Sequence, residues 1–187
     1  IKDKKFEKTS TVLAKGEILF FCYGRMELGQ RALGHRSILC DPSKFESIKK
    51  INTTIKKRDF WMPFTPSILK KFSKKYVINP KNISSSFMTT CYDTTEIGKK
   101  HLKAAIHPYD FTVRPQIVTK KTCPVYYNLI EKFYKKTGIG GLLNTSLNIH
   151  DKPIVCQPVD IVNEILKGNN KAINYIYVQD TLYKRKV

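Results

Sequence analysis

No hydrophobic run in this sequence is long enough to cross a bilayer. The longest, Ile18 to Tyr23, is six residues, against the ~20 a spanning helix takes. The first residues lack the basic-then-apolar order of a secretory leader, so the chain reads as cytoplasmic and without a membrane partner. Five cysteines (Cys22, Cys40, Cys91, Cys123 and Cys156) stand far apart with no C-x-x-C. This argues against a disulfide frame or a structural zinc site and leaves buried thiols as the expectation. The histidines His35, His101, His107 and His150 show no H-E-x-x-H or Cys/His spacing, so no protein-held metal is expected. A G-x-x-x-x-G-K-[ST] loop is also missing, so any nucleotide is held otherwise than by a P-loop. There is no internal repeat and no low-complexity tract, and the 187 residues read as one domain. Because they open on Ile1 with what reads as helix, they read as a piece of a longer protein.

Acidic residues are scarce: 15 against 34 basic ones, a net charge of +19. Such a field attracts polyanions, whether nucleotides, nucleic acid or an acidic surface, without choosing among them. Arginine is scarce as well. There are six (Arg25, Arg31, Arg36, Arg58, Arg114 and Arg185) among 34 basic residues, yet three of them fill every basic position between residues 16 and 43. The planar guanidinium grips phosphate or carboxylate with two bonds where an ammonium offers a point charge. The pattern therefore suggests arginine reserved for a site and lysine spread as a surface coat.

Hydrophobic periodicity predicts a helix over 5–14 closed by Gly16, then a buried strand over 18–23 running into a glycine-punctuated segment, residues 24–34, that reads as a loop or a strand with sharp turns. Asp41-Pro42 reads as a helix start, with Phe45, Ile48, Ile51 and Ile55 at helical spacing and an end near Arg58. Residues 60–69 read as extended, 79–86 as a surface loop, and 87–92 and 112–118 as strands, Pro115 placing the second at an edge or bulge. Helices over 124–136 and 158–166, stopped by Gly138 and Gly168, flank a short strand over 140–144 that opens into a polar turn. Strands over 175–178 and 182–184 close the chain.

Four segments carry candidate chemistry. GRMELGQRALGHRS, residues 24–37, combines three glycines that let backbone approach a ligand with three arginines that bind oxyanions; its composition also fits a basic surface loop with Glu27 paired to an arginine. Lys56-Lys57-Arg58 falls at a helix C-terminus, where cations meet the negative end of the dipole without any ligand, but the apolar Trp61-Met62-Pro63-Phe64-Thr65-Pro66 that follows can floor a pocket. Arg114 stands in a strand-like run. Asn144-Thr145-Ser146-Leu147-Asn148 follows a short strand, where open α/β sheets bind ligands, though turn chemistry also favours these residues.

Taken in order, GRMELGQRALGHRSIL, INTTIKKRDFWMPFTPSIL, TVRPQIV, LLNTSLNIHDKPIV and a late PVDIV helix make the chain resemble the C-terminal domain of the nodulation-factor and antibiotic O-carbamoyltransferases, from about Ala14 to Leu182. The resemblance implies a YrdC-like α/β fold of the α+β type, a twisted mixed sheet with helices around a basic cavity. It also implies a larger preceding domain of the actin-like ATPase type, absent here, where the acceptor is carbamoylated. The implied substrates are carbamoyl phosphate and ATP, Mg²⁺ arriving with the nucleotide, and the implied product is carbamoyl adenylate. Arg31, Lys56, Arg58 and Arg114 match the family's basic positions and would clamp phosphates, with Arg31, Lys56 and Arg114 nearest the chemistry. Asn144 and Ser146 would orient the carbamoyl group or nucleotide, and Ser146 with Asn148 resembles the S-x-N pair of YrdC-like enzymes. The chain departs from the family pattern with Gln30 for Pro, His35 for Asn, Leu28 and Leu147 for Phe, and Asp59 for Glu. The alternatives are a YrdC-like RNA- or nucleotide-binding module without carbamoyl chemistry and a nucleotide-binding domain without activity. Lysines scattered along the chain, with no aromatics alternating among them, speak against nucleic acid.

Overall fold

The computed structural model describes residues 1–57, 59, 61–166 and 173–185, with backbone alone for 164–166. Among the described residues nine strands form: β1 Leu19–Cys22, β2 Arg36–Cys40, β3 Thr65–Leu69, β4 Val77–Ile78, β5 Asp93–Thr94, β6 Gln116–Val118, β7 Gly141–Ser146, β8 Tyr175–Val178 and β9 Thr181–Lys184. The helices are α1 Glu7–Ala14, α2 Phe45–Ile51, α3 Ser73–Tyr76, α4 Glu96–His101, α5 Pro124–Thr137 and α6 Pro158–Asp160. Seven strands make one sheet in the order β6-β3-β7-β2-β1-β8-β9, while β4 and β5 pair apart. Within it β3 runs parallel to β6 and β1 parallel to β8, the other neighbours being antiparallel. This is the mixed α/β sheet expected.

The central strands are apolar on both faces because both are covered. On β1, Leu19 and Phe21 face one core and Phe20 and Cys22 the other. The first core packs Leu39, Leu69 and Leu142 against Tyr126, Leu129, Ile130 and Phe133 of α5, with Leu13 of α1. The second packs Ile38, Cys40 and Leu143 against Ile51 and Ile55. Each such side chain contributes ~1.5–3 kcal/mol on burial, so the sheet is fixed from both sides. The helix α5 has Pro124 in its first turn and Gly138 at φ 74° just past its end, the residues those positions favour.

Several expectations need correction. The strand expected over 87–92 does not form: Tyr92 makes an isolated bridge to Val113, and β5 follows it. A buried central strand, β2, stands where no strand was expected, its five residues all enclosed. The helix expected to run to Arg58 is α-helical to Ile51 and then widens into a π-helical turn, Asn52–Lys56. The last helix makes the same change at Ile161, and Gly168 lies outside the described residues. The cysteines are not uniformly buried: Cys22, Cys40 and Cys123 are enclosed, and Cys91 and Cys156 are exposed. Burial pushes the Cys40 thiol up to about 12. Pro115 immediately precedes β6, which is the edge strand.

Candidate anion-binding cleft

The cleft opens at one end of the sheet, where β7 finishes and β2, β3 and β6 begin. It has an inner chamber of about 40 Å³, whose walls include Arg31, Ala32, Thr65, Arg114, Asn144 and Ser146. A wider outer one of about 570 Å³ shares Arg31 and Arg114 and adds Trp61, Met62, His107 and His150. Among the described residues, no acidic side chain lines either chamber. Burial lowers the pKa of Arg31, and the positive charge of Arg114 lowers it further. Both guanidinium groups thus line the two chambers together, close enough for the charge of one to act on the other. The Nε of Arg114 is buried and has no hydrogen-bond partner. Two cations held in mutual repulsion at the mouth of a polar chamber make a site that an anion stabilises.

Lys56 is tied to Ser146 of the inner chamber's lining. It ends the π-helical turn with only 2% of its surface exposed. Its Nζ donates to Ser146 Oγ at 3.0 Å and to Asn148 Oδ1 at 2.5 Å. Ser146 Oγ donates to the same Asn148 oxygen at 2.6 Å. The Asn148 amide in turn donates to the Lys152 carbonyl at 2.5 Å. A π-turn displaces the end of a helix relative to the α-helical path, as it often does at functional sites. Here it brings an ammonium from residue 56 to the hydroxyl of residue 146.

The loop over residues 24–34 is built around its carboxylate. Glu27 Oε1 accepts from the backbone N–H of Leu33 at 2.6 Å and of His35 at 2.7 Å, and the side chain is 5% exposed. It therefore organises backbone and faces His35 Nδ1 at 3.7 Å, where the sequence suggested an arginine partner. Gly34, at φ +107°, lies so close to Tyr126 that a Cβ would come within 2.2 Å of the ring, so only glycine fits.

Of the residues singled out from sequence, Arg31, Arg114, Asn144 and Ser146 line the inner chamber. Lys56 and Asn148 are bonded to Ser146, and Arg58 lies outside the described residues. The expectation that arginine is reserved for ligand is too broad. Arg36 is buried and spends its guanidinium on the carbonyls of Tyr23, Gly24, His35 and Cys156, a structural clamp. Trp61, Met62, Pro63, Phe64 and Thr65, the expected floor, are found on the walls. Sequence reasoning missed Gln116 and Ser67. Ser67 Oγ donates to Gln116 Oε1 at 2.6 Å, Gln116 Nε2 to the Leu33 carbonyl at 2.8 Å, and Asn144 Nδ2 to the Ala32 carbonyl at 3.0 Å. The available signal was a polar residue in phase with the core-facing Val118 on one strand.

Fold and cleft together define an α/β domain with a basic pocket at one end of a mixed sheet. The family model described as "Carbamoyltransferase C-terminus" matches residues 10–185, and the chain belongs to that family. An uncharacterized protein of Methanocaldococcus jannaschii is 36% identical over 187 residues, which are 100% of this chain and 30% of that protein. The nodulation protein NolO of Bradyrhizobium diazoefficiens is 37% identical over 155 residues, 82% of this chain and 28% of that protein. The 3'-hydroxymethylcephem-O-carbamoyltransferase of Streptomyces clavuligerus is 28% identical over 181 residues, 94% and 32% respectively. The chain thus spans about a third or less of these relatives. Two solved structures share the fold. HypF in a phosphate- and nucleotide-bound form has TM-score 0.66 and 17% identity, covering 96% of this chain and 25% of that one. P. abyssi Sua5 complexed with L-threonine has 0.61 and 13%, covering 94% and 47%. The sheet and its helices are of the YrdC-like kind expected.

Proposed function

We propose that the domain binds carbamoyl phosphate and ATP in this cleft and forms carbamoyl adenylate for O-carbamoylation of an acceptor hydroxyl. The observation that carries the reading is the pair Arg31 and Arg114 lining one chamber in which, among the described residues, there is no acidic side chain. Membership of the carbamoyltransferase C-terminus family supports it, as does likeness in fold to a HypF solved with phosphate and nucleotide. In this reading water cleaves carbamoyl phosphate to carbamate and inorganic phosphate. A carbamate oxygen then attacks the α-phosphorus of ATP, the bond to the bridging oxygen of the β-phosphate breaks, and pyrophosphate leaves with the electron pair.

Positioning and charge neutralisation do most of the work in phosphoryl transfer. Arg31 and Arg114 neutralise the phosphate oxygens, Arg58 joins them, and Lys56 supplies a further positive charge through its contacts with Ser146 and Asn148. Ser146 presents its hydroxyl to the carbamoyl group or nucleotide. Mg²⁺ enters as the counter-ion of ATP. The carbamoyl group then passes to an acceptor bound elsewhere, in the additional domain that the relatives' greater length accommodates. ATP–pyrophosphate exchange tests the reading. Exchange is expected when carbamoyl phosphate is present, and it should fall with Arg31→Ala. Nucleotide binding without exchange under any condition would leave a binding module in its place.

A further inference from the structure

We propose that Gln116, Ser67 and Asn144 form a buried polar row whose task is to position Arg31, making Gln116 a positioning residue for the anion site. The inference rests on the anion-binding reading of the cleft and goes beyond it. Asn144 lines the inner chamber; its amide nitrogen donates within the row and to the Ala32 carbonyl, while its Oδ1 is buried without a partner among the described residues.

The row crosses three adjacent strands. Ser67 and Gln116 are register partners between β3 and β6, and Thr65 partners Asn144 between β3 and β7. All three side chains lie on the face of the sheet that carries Leu69, Val118 and Leu142, the side packed by α5, and all are buried. Away from the cleft end that face is apolar, with Leu39, Leu69, Val118 and Leu142, so polar side chains buried on it need a reason. Each costs desolvation, which hydrogen bonds must offset. The row's own bonds join Ser67 to Gln116, Asn144 Nδ2 to Ser67 Oγ at 3.0 Å and Asn144 Nδ2 to Gln116 Oε1 at 3.3 Å. Its remaining donors point out of the sheet to two consecutive carbonyls, Ala32 and Leu33, the residues directly after Arg31. One residue further, Gly34 lies against the Tyr126 ring. Arg31 is thus tethered by its C-terminal neighbours at three successive positions.

A tether is needed because Arg31 is exposed and faces a second cation. Left to itself, a loop with Gly29 at φ +119° would let that guanidinium swing into water, away from Arg114. Holding it in the repulsive geometry is what preorganises the site for an anion.

A double-mutant cycle reads this directly. The variants Gln116→Met, Arg31→Ala and the pair are compared in the full chain by calorimetric titration with carbamoyl phosphate, and each is checked for folding by thermal melt. Gln116→Met keeps length and removes both hydrogen-bonding atoms. It is expected to weaken binding by about tenfold, in line with the sensitivity of oriented groups to small displacements. It should do so only while Arg31 is present, so the doubly substituted chain should bind no more weakly than Arg31→Ala alone. A general loosening of the fold would instead give the same further loss in both backgrounds, and would overturn the proposal. So would unchanged affinity in Gln116→Met. If Arg31→Ala itself leaves affinity untouched, it is the anion reading that fails. Ser67→Ala removes two of the row's three internal bonds, leaving only that from Asn144 Nδ2 to Gln116 Oε1, with less disturbance. It should show the same dependence on Arg31 even where Gln116→Met does not fold, and additivity there would equally sink the idea.

Discussion

Two buried or half-buried arginines illustrate how one residue type serves opposite ends. Arg36 is ringed by four backbone carbonyls and needs no counter-ion, since its donors are spent on chain ends that the sheet leaves open. Arg114, by contrast, keeps a buried Nε without a partner and looks across at another arginine. An unpaired donor of this kind costs ~1–3 kcal/mol unless a ligand completes it. Arg114→Ala is therefore expected to weaken carbamoyl phosphate or nucleotide binding by about one to two orders of magnitude, from ~1.5–3 kcal/mol per charge-assisted bond. The melting temperature should hardly move, because no structural bond is lost. Arg114→Lys restores charge without the fork and should recover only part of the affinity. Calorimetry and thermal melts on the same samples check both halves; full recovery with lysine would show that charge alone matters at this position.

At the scale of elements, the loop over residues 24–34 holds its shape through one carboxylate. Burial pushes the Glu27 carboxyl up, but the side-chain and backbone hydrogen bonds from His35 and the backbone N–H of Leu33 outweigh it, and the net shift is downward. A folded-state pKa below the unfolded one adds stability that is complete above the unfolded value and is lost as pH falls through the folded value. Glu27→Gln should therefore melt lower than the parent above the ordinary Glu value of about 4.3, with the gap closing as pH falls below it through the lowered folded-state value. A gap independent of pH would mean that shape, rather than charge, holds the loop. The loop's existence was legible from its glycines. So were α1, α5, β1, β8 and β9, whose periodicity and end signals agree. Other elements were not legible. β2 reads RSILC, too short to declare itself beside a loop, and is a strand because β1 and β7 flank it. Residues 87–92 have strand-like composition, but only Tyr92 finds a backbone partner, Val113. In the cleft, the arginines stood out by rarity, whereas Gln116 and Ser67 look like surface strand residues until three strands are laid side by side.

Across the whole molecule the charge of +19 and the two-arginine cleft are separable in space. Thr65, at the start of β3, is in the cleft wall, while Lys70 and Lys71 follow the end of that strand and Lys74 and Lys75 lie in α3. A five-residue strand at ~3.3 Å per residue sets them about 15 Å or more away. The Debye length at physiological ionic strength is about 8 Å, so exposed charges at that distance are largely screened. Lys71 is moreover engaged locally, with Nζ 2.7 Å from Glu131 Oε1 and 5.3 Å from the Phe72 ring centroid. Lys70 and Lys74 border a different depression of about 400 Å³. Replacing Lys70, Lys71, Lys74 and Lys75 together with glutamine should therefore leave affinity for carbamoyl phosphate within about threefold at 0.15 M salt. At 0.01 M salt, where the Debye length grows to about 30 Å, the same variant should bind detectably more weakly than the parent. Titrations at the two salt concentrations distinguish a long-range field from a contact. A loss at 0.15 M as large as that of Arg31→Ala would place these lysines in the site itself.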